Sequence, residues 1–290
     1  MNCSLIICTY NWPEALEMVL SSVLTQSITP NEVIIADDGS SDSTFEVIKA
    51  YSDKASIPII HSWQKDDGCR IPHSRNRAIA KSNYEYIIMV DGDTVLHKDF
   101  IKDHKRFAQQ GLYIQGSRVL LQSEFSSSLF KENFFKKPSF FLKDSKNKIN
   151  MLRLPFLTKL MSFFKNQNIN RIRGCNFSLF KEDVIKVNGF NEDITTWGRE
   201  DSEFVQRLFN VGVRKQHIKF SGIQYPNTIL LTIVVKNKDI ATVNPANIPA
   251  IIIDLFLKYI ANESMIFELN GFLPCDKSFS MISDKNDTIK

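Results

Sequence analysis

A chain of 290 residues, 43% hydrophobic and 23% charged, is long enough for one large domain or two small ones and can bury a substantial core, which excludes a disordered or fibrous protein. A net charge of +4 is too mild to argue for nucleic acid, and no apolar run reaches the eighteen or more residues of a membrane span. The five cysteines, Cys3, Cys8, Cys69, Cys175 and Cys275, are scattered and form no CxxC or zinc-type Cys/His spacing, so reduced thiols are expected. The opening MNCSLIICTYN lacks the basic and cleavage regions of a secretory signal, which makes the cytosol the expected compartment.

In chain order, CSLIICTY reads as a fully buried strand, and WPEALEMVLSSVLTQ as a helix with Pro13 in its first turn. EVIIADDGSSDSTFEVIKAYS is a second buried strand, an acidic turn and a second helix that Asp42 or Ser43 would cap. IPIIHSWQ, PHSRNRAIAKS and YEYIIMVDGD follow as strand, helix and strand. This alternation predicts an α/β fold with a mostly parallel central sheet and a site at the carboxyl ends of its strands. Residues 125–165 break the rhythm with a basic, Phe-rich stretch: nine basic residues from Lys131 to Lys165 stand against Glu132 and Asp144. Beyond it, RIRGCNFSLFKEDVIKVNGF reads as strand and short helix, and REDSEFVQRLFNVG as an amphipathic helix ending at Gly212. Residues 226–290 carry apolar stretches without readable chemistry, and no internal repeat or glycine-rich linker occurs.

Three acidic clusters carry the functional reading. Asp91 and Asp93, at i and i+2 after an apolar strand, are expected on one side of an extended chain, with Gly92 letting the backbone turn and a ligand approach. Two adjacent carboxylates raise each other's pKa, a cost that a hard divalent cation such as Mg²⁺ or Mn²⁺ removes; the plain alternative is a pair of solvated turn acids. Asp37 and Asp38 in DDGSSD serve as ordinary turn residues or, at the same sheet edge, face a hydroxyl-rich ligand such as a ribose. Arg70, Arg75 and Arg77 read as solvated helix charges or, near a metal and a diphosphate, one of them as a phosphate donor. Glu200, Asp201 and Glu203 suit a helix first turn, while Trp197 and Gly198 before them suggest a sugar platform beside a general base.

Taken in order, LIICTYNWPEALEMVLSSVLTQ, EVIIADDGSSDST, SRNRAIA, YIIMVDGD, GCNFSLFKEDVIKVNGFNE and WGREDSEFVQRL resemble the family 2 inverting glycosyltransferases with the GT-A fold, over about residues 2–225. DDGCR…SRNRA and GFNE…WGREDSEF are similar to the bacterial chondroitin-polymerase and beta-galactosyltransferase branch. The resemblance implies a nucleotide-sugar-binding half over 1–120, an acceptor-side half over 121–225 and a divergent tail over 226–290. It makes Asp91 and Asp93 the DxD pair for Mn²⁺ or Mg²⁺, with Asp93 the direct ligand. Thr9, Tyr10 and Asn11 would border the nucleotide, Asp38 would contact the uridine, and Arg75 and Gly92 would lie near the diphosphate. Asp201 would be the catalytic base, with Glu200, Gly198 and Trp197 around the sugars.

The implied reaction moves a sugar from a UDP-sugar to an oligosaccharide or glycolipid acceptor with inversion, in lipopolysaccharide, lipooligosaccharide or capsule synthesis at the inner face of the membrane. Members of this branch carry a metal-completing histidine after a segment like FSGIQY, where Pro226 stands here; the nearest histidine, His217, reads as a surface residue. A haloacid-dehalogenase-type phosphatase would use DGDTV with Asp91 as nucleophile, but it opens its fold with that motif and needs a later GDxxxD. A nucleotidylyltransferase would need a glycine-rich loop after the first strand. A non-catalytic sugar-binding relative is the remaining rival. The basic Phe-rich stretch is either a packed loop or a peripheral contact with an anionic membrane.

Overall fold

The computed structural model describes residues 1–121, 145–146, 152–161, 165–169, 172–196 and 198–226. Most of the basic Phe-rich stretch, the tail after Pro226 and Trp197 lie outside the described residues. In chain order the elements are β1 Cys3–Thr9, α1 Pro13–Leu24, β2 Glu32–Asp37, α2 Asp42–Ser52, β3 Ile59–Trp63, α3 Ile71–Lys81 and β4 Tyr86–Asp91. Then come β5 Thr94–Leu96, α4 Phe100–Phe107, β6 Leu112–Gln115, β7 Ser117–Arg118, β8 Leu120–Leu121, β9 Ser145–Lys146 and α5 Pro155–Met161. The described chain ends with β10 Asn176–Phe180, α6 Lys181–Lys186, α7 Glu200–Asn210, β11 Arg214–His217 and β12 Ile223–Pro226.

A seven-stranded sheet runs β11-β6-β10-β4-β1-β2-β3. Its β1/β2, β1/β4, β2/β3 and β6/β11 pairs are parallel, whereas β10 enters antiparallel to both β4 and β6. The central strands are buried on both faces, which is why they read as continuous apolar runs. Their alternation nonetheless divides the core: Leu5 and Ile7 of β1 pack under α1, α2 and α4, while Ile6 packs under α3 and α7. Helix α1 buries Leu16, Val19, Leu20 and Val23, the i, i+3, i+4, i+7 stripe, and starts at Pro13, whose fixed φ suits a first turn. Burying each such side chain contributes about 1.5–3 kcal/mol. For α2 the cap is Ser41, one residue before Asp42 and two before Ser43, the two expected caps, and its side chain makes no capping hydrogen bond.

A second sheet, β5-β12-β7, sits beside the end of β4. Within it Pro226 pairs with Thr94 and Gln224 with Leu96, so β12 runs along the acidic turn. The register of the parallel strands brings the acids together: Asp91 lies beside Cys8, and Asp37 beside Thr9.

Candidate active site

Chain reversal after β4 shapes the first acidic cluster. Asp91 ends the strand, but Gly92 and Asp93 form a turn before β5, so the two acids do not share one side of an extended chain as expected. The Thr94 hydroxyl donates to Asp91 O at 2.9 Å, and Gly92 N donates to Cys8 O at 2.6 Å. A Cβ on Gly92 would stand 2.6 Å from that same Cys8 oxygen, so the glycine answers the close approach of β1. Asp91 is half-buried and Asp93 buried, and Asp93 Oδ1 has no hydrogen-bond partner among the described residues. Burial pushes both carboxyls up, and the Asp93 charge pushes Asp91 further against the pull of Arg75.

The β2 turn divides its two acids between different tasks. Asp37 is fully buried and occupied: Oδ1 accepts from Gly39 N and Ser40 N, and Oδ2 meets His61 Nε2 at 2.7 Å. It holds the turn, which corrects the expectation that it faces a ribose. Asp38 accepts from Gln64 Nε2 at 2.5 Å and from Arg70 N at 2.9 Å. Burial pushes its carboxyl up to about 6, against those two donors. Asn11, in the left-handed region at φ 45°, ties β1 to this turn: its N–H donates to Ser40 Oγ and its Oδ1 accepts from Ser41 N. Tyr10 Oη donates to Asp66 Oδ2 at 3.3 Å, and Thr9 Oγ1 is buried without a partner among the described residues.

Of the three arginines, only Arg75 reaches the strand-end acids. Arg70 pairs with Asp67 at 3.1 Å, and Arg77 donates to Trp63 O at 3.2 Å, which leaves Arg75 as the one of the three whose side chain faces Asp91. Arg75 is 4% exposed and lies over the Phe190 ring at 5.1 Å. Its Nη1 donates to Asp201 Oδ1 at 2.7 Å and stands 3.8 Å from Glu200 Oε1; its Nη2 stands 3.8 Å from Asp91 Oδ1. Burial works against its charge, but Asp201, with Glu200 and Asp91, holds it protonated beyond an ordinary guanidinium. Arg75 Nε is buried without a partner among the described residues.

The third cluster splits in the same way. Asp201 turns to the site, while Glu203 pairs with Arg207 at 2.6 Å along α7. Glu200 Oε2 accepts from Gly198 N at 2.8 Å, and Gly198, at φ 109°, opens on free space. Gly174, unread in GCNFSLF, lies against Asp201: a Cβ there would run into the Asp201 carboxylate, so a side chain at 174 would displace it. Gln224 also went unread; its Oε1 is buried without a partner among the described residues, on the strand that ends at Pro226. His217 is exposed at the end of β11.

Among the described residues no group of three or more His, Cys, Asp and Glu could hold a metal ion. Asp91 and Asp93 alone still fit a hard divalent cation, because Asp93 Oδ1 lacks a partner and both carboxyls are costly to ionise unpaired. A two-carboxylate site leaves most coordination positions to ligand oxygens and water.

Comparison with known proteins gives the family and the fold. The family model described as "Glycosyl transferase family 2" matches residues 4–187, and one described as "N-terminal domain of galactosyltransferase" matches 155–230. The chain is 26% identical over 228 residues to a chondroitin synthase of Pasteurella multocida, covering 72% of this chain but only 23% of that protein. The fold resembles S. aureus TarS 1-349, solved with UDP-GlcNAc (TM-score 0.56, 16% identity, 90% of this chain, 73% of that one). It also resembles a mannosyltransferase of Pyrobaculum calidifontis, solved with GDP-Man and Mn²⁺ (TM-score 0.53, 16% identity, 78% and 56%). The architecture is the GT-A fold.

Proposed function

The chain belongs to glycosyl transferase family 2, in its chondroitin-polymerase-like branch, and from this premise we propose that it moves a hexose or N-acetylhexosamine from a UDP-sugar to an oligosaccharide or glycolipid acceptor with inversion. UDP as the donor nucleotide is supported by the related fold solved with UDP and with UDP-GlcNAc. The observation that carries the reading is Arg75, one buried guanidinium that joins Asp91 of the DGD turn to Asp201 of α7. The phosphatase alternative accounts for DGDTV but not for a family match that runs from residue 4 to 187.

In this reading Asp38 accepts from the nucleobase, and Asn11 holds the turn that presents it. Asp91 and Asp93 would hold Mn²⁺ or Mg²⁺, which when bound would supply Lewis-acid stabilisation of charge on the departing diphosphate. Arg75, through the Nη2 that stands near Asp91 and the Nη1 that donates to Asp201, supports the diphosphate and orients Asp201. Asp201 accepts the proton of the acceptor hydroxyl as that oxygen attacks the anomeric carbon opposite the nucleotide. One such base suffices, because the diphosphate leaves without a protonating acid. Glu200, Gly198 and Trp197 take the sugar side. The setting proposed is lipopolysaccharide, lipooligosaccharide or capsule synthesis in the cytoplasm, with residues 1–120 as the donor half and 121–225 as the acceptor half.

Calorimetric titration of UDP with and without Mn²⁺, on the wild type and on Asp93→Ala, tests it. Metal-dependent binding that the variant loses is the expected result, followed by a donor screen with Asp201→Asn as the inactive control. Absence of nucleotide binding in both conditions would sink the reading, and Pro226 at the metal-histidine position would then point to a non-catalytic relative.

A further inference from the structure

Gln64 follows directly after β3 and is buried, with its backbone N–H donating to Asp37 O at 3.2 Å. A buried primary amide has a donor end and an acceptor end, and its surroundings must satisfy both. Two acceptors decide which end is which. Nε2 faces Asp38 Oδ1 at 2.5 Å and Arg70 O at 3.4 Å, and a peptide carbonyl can only accept. The carbonyl end, Oε1, is therefore the one that meets His73 Nδ1 at 2.6 Å, and that ring nitrogen must carry the hydrogen.

His73 lies in the first turn of α3, which follows β3 and so starts at the sheet edge where Asp38 follows β2. Its other nitrogen, Nε2, stands 4.0 Å from Glu192 Oε2, and Asn76 Nδ2 donates to Glu192 Oε1 at 2.8 Å. With Nδ1 committed to Gln64, a proton joins or leaves this ring at Nε2, and the bond to Gln64 persists in both forms. The donor that the chain from His73 through Gln64 delivers to Asp38 is thus independent of the charge on the imidazole. The charged side chains that face Asp38 are Asp37 of β2 and Asp66 of the connection before α3, both acidic. Only the N–H groups of Gln64 and Arg70 favour its ionised form there.

From these contacts we infer that His73 is a positioning residue of the nucleotide site: acting through Gln64, it keeps an N–H on Asp38 Oδ1 and so holds that carboxylate as the acceptor for a nucleobase. The two N–H donors leave Asp38 further lone pairs for the base. Without His73 the carbonyl of Gln64 loses its donor, and the amide is free to turn away from Asp38. The inference rests on the proposed role of Asp38 and deepens it, since nothing in the sequence around HSRNR ties a histidine to the nucleotide.

Uridine titration of the full chain, followed by NMR across pH, tests it in His73→Leu, His73→Asn and Gln64→Leu. His73→Leu removes the donor, and affinity on the plateau above about pH 7 should fall about tenfold. The pH midpoint of binding should also move up from about 6, because the carboxylate loses a donor that favours its charge. His73→Asn offers an amide N–H in place of Nδ1 and should restore both affinity and midpoint. Gln64→Leu should lose at least as much as His73→Leu, and adding His73→Leu to it should cost nothing further, because one acts through the other. A chain that is only destabilised keeps the wild-type midpoint, so the midpoint separates positioning from packing. Unchanged binding in His73→Leu, additive losses, or failure of His73→Asn to restore the midpoint overturns the inference. Asp38→Ala tells the two levels apart: if it leaves uridine binding untouched, the nucleotide role of this turn fails and the inference falls with it. If it weakens binding while His73→Leu does not, the inference alone fails.

Discussion

Arg75 Nη1 donates to Asp201 Oδ1 at 2.7 Å across 126 residues of sequence, and this pair ties helix α3 to helix α7 above the end of β4. Removing the guanidinium would leave Glu200, Asp201 and Asp91 facing one another with their shared cation gone. We expect Arg75→Met to destabilise the fold by about 3 kcal/mol in urea unfolding, since breaking a buried pair on one side leaves uncompensated charge. Arg75→Lys keeps the charge without the planar fork and should fall between. A midpoint unchanged in Arg75→Met would mean water already screens the cluster.

Gly174→Ala isolates the position of Asp201. The added methyl meets that carboxylate first, so the acid must shift by the order of an ångström. Displacement on that scale costs about 100-fold in rate. Sugar transfer should fall by this amount while UDP binding in the titration stays at the wild-type level. Full activity in Gly174→Ala would remove Asp201 from the role of base.

Asp38 gives binding a pH signature. Its carboxyl sits near 6 because burial disfavours the charge, and a nucleobase N–H needs the ionised form as acceptor. Below about 6 the group is protonated, so affinity should fall roughly tenfold per pH unit, and above about 7 it should level off. Uridine, followed by NMR titration, reads this without diphosphate or metal. Asp38→Asn should flatten the profile, and a slope that survives the substitution would assign it to another group.

A buried polar chain supports the sheet behind the site. Ser178 Oγ lies 2.7 Å from both His104 Nδ1 and Tyr86 Oη, and His104 Nε2 lies 3.0 Å from Asn176 Oδ1. Burial keeps the imidazole neutral by lowering its pKa to about 4. Ser178→Ala strands His104 Nδ1 and leaves Tyr86 Oη only its 3.4 Å bond to His104 O, and it should cost about 1–3 kcal/mol in unfolding, with the nucleotide site intact. An unaltered midpoint would mean water replaces the hydroxyl.

The strands β1, β2 and β4 could be read directly because burial on both faces writes them as largely apolar runs, the last two ending in the acids Asp37 and Asp91. By contrast β11, with the sequence RKQH, carries no apolar signal, since its pairing with β6 is a matter of backbone hydrogen bonds. Asp91, Asp93 and Asp201 were legible as acids in the right settings. What each carboxylate touches was not: Asp37 and Asp38 are neighbours in sequence, yet His61 claims one and Gln64 the other. Gly174 illustrates the same limit, because the reason for a glycine lay in a carboxylate 27 positions away.

The antiparallel insertion of β10 between β4 and β6 has a consequence for synthesis. Among the described residues β6 pairs with β10 and β11 but not with β4, so the far wing of the sheet joins the first four strands through β10. Asn176 leaves the ribosome roughly 85 residues after Asp91, which at about 5–20 residues per second is a delay of roughly 4–17 s. Throughout that interval the nascent β3-β2-β1-β4 unit presents the bare apolar edge of Ile87, Ile88 and Met89, and chains released before β10 emerges are the ones expected to aggregate.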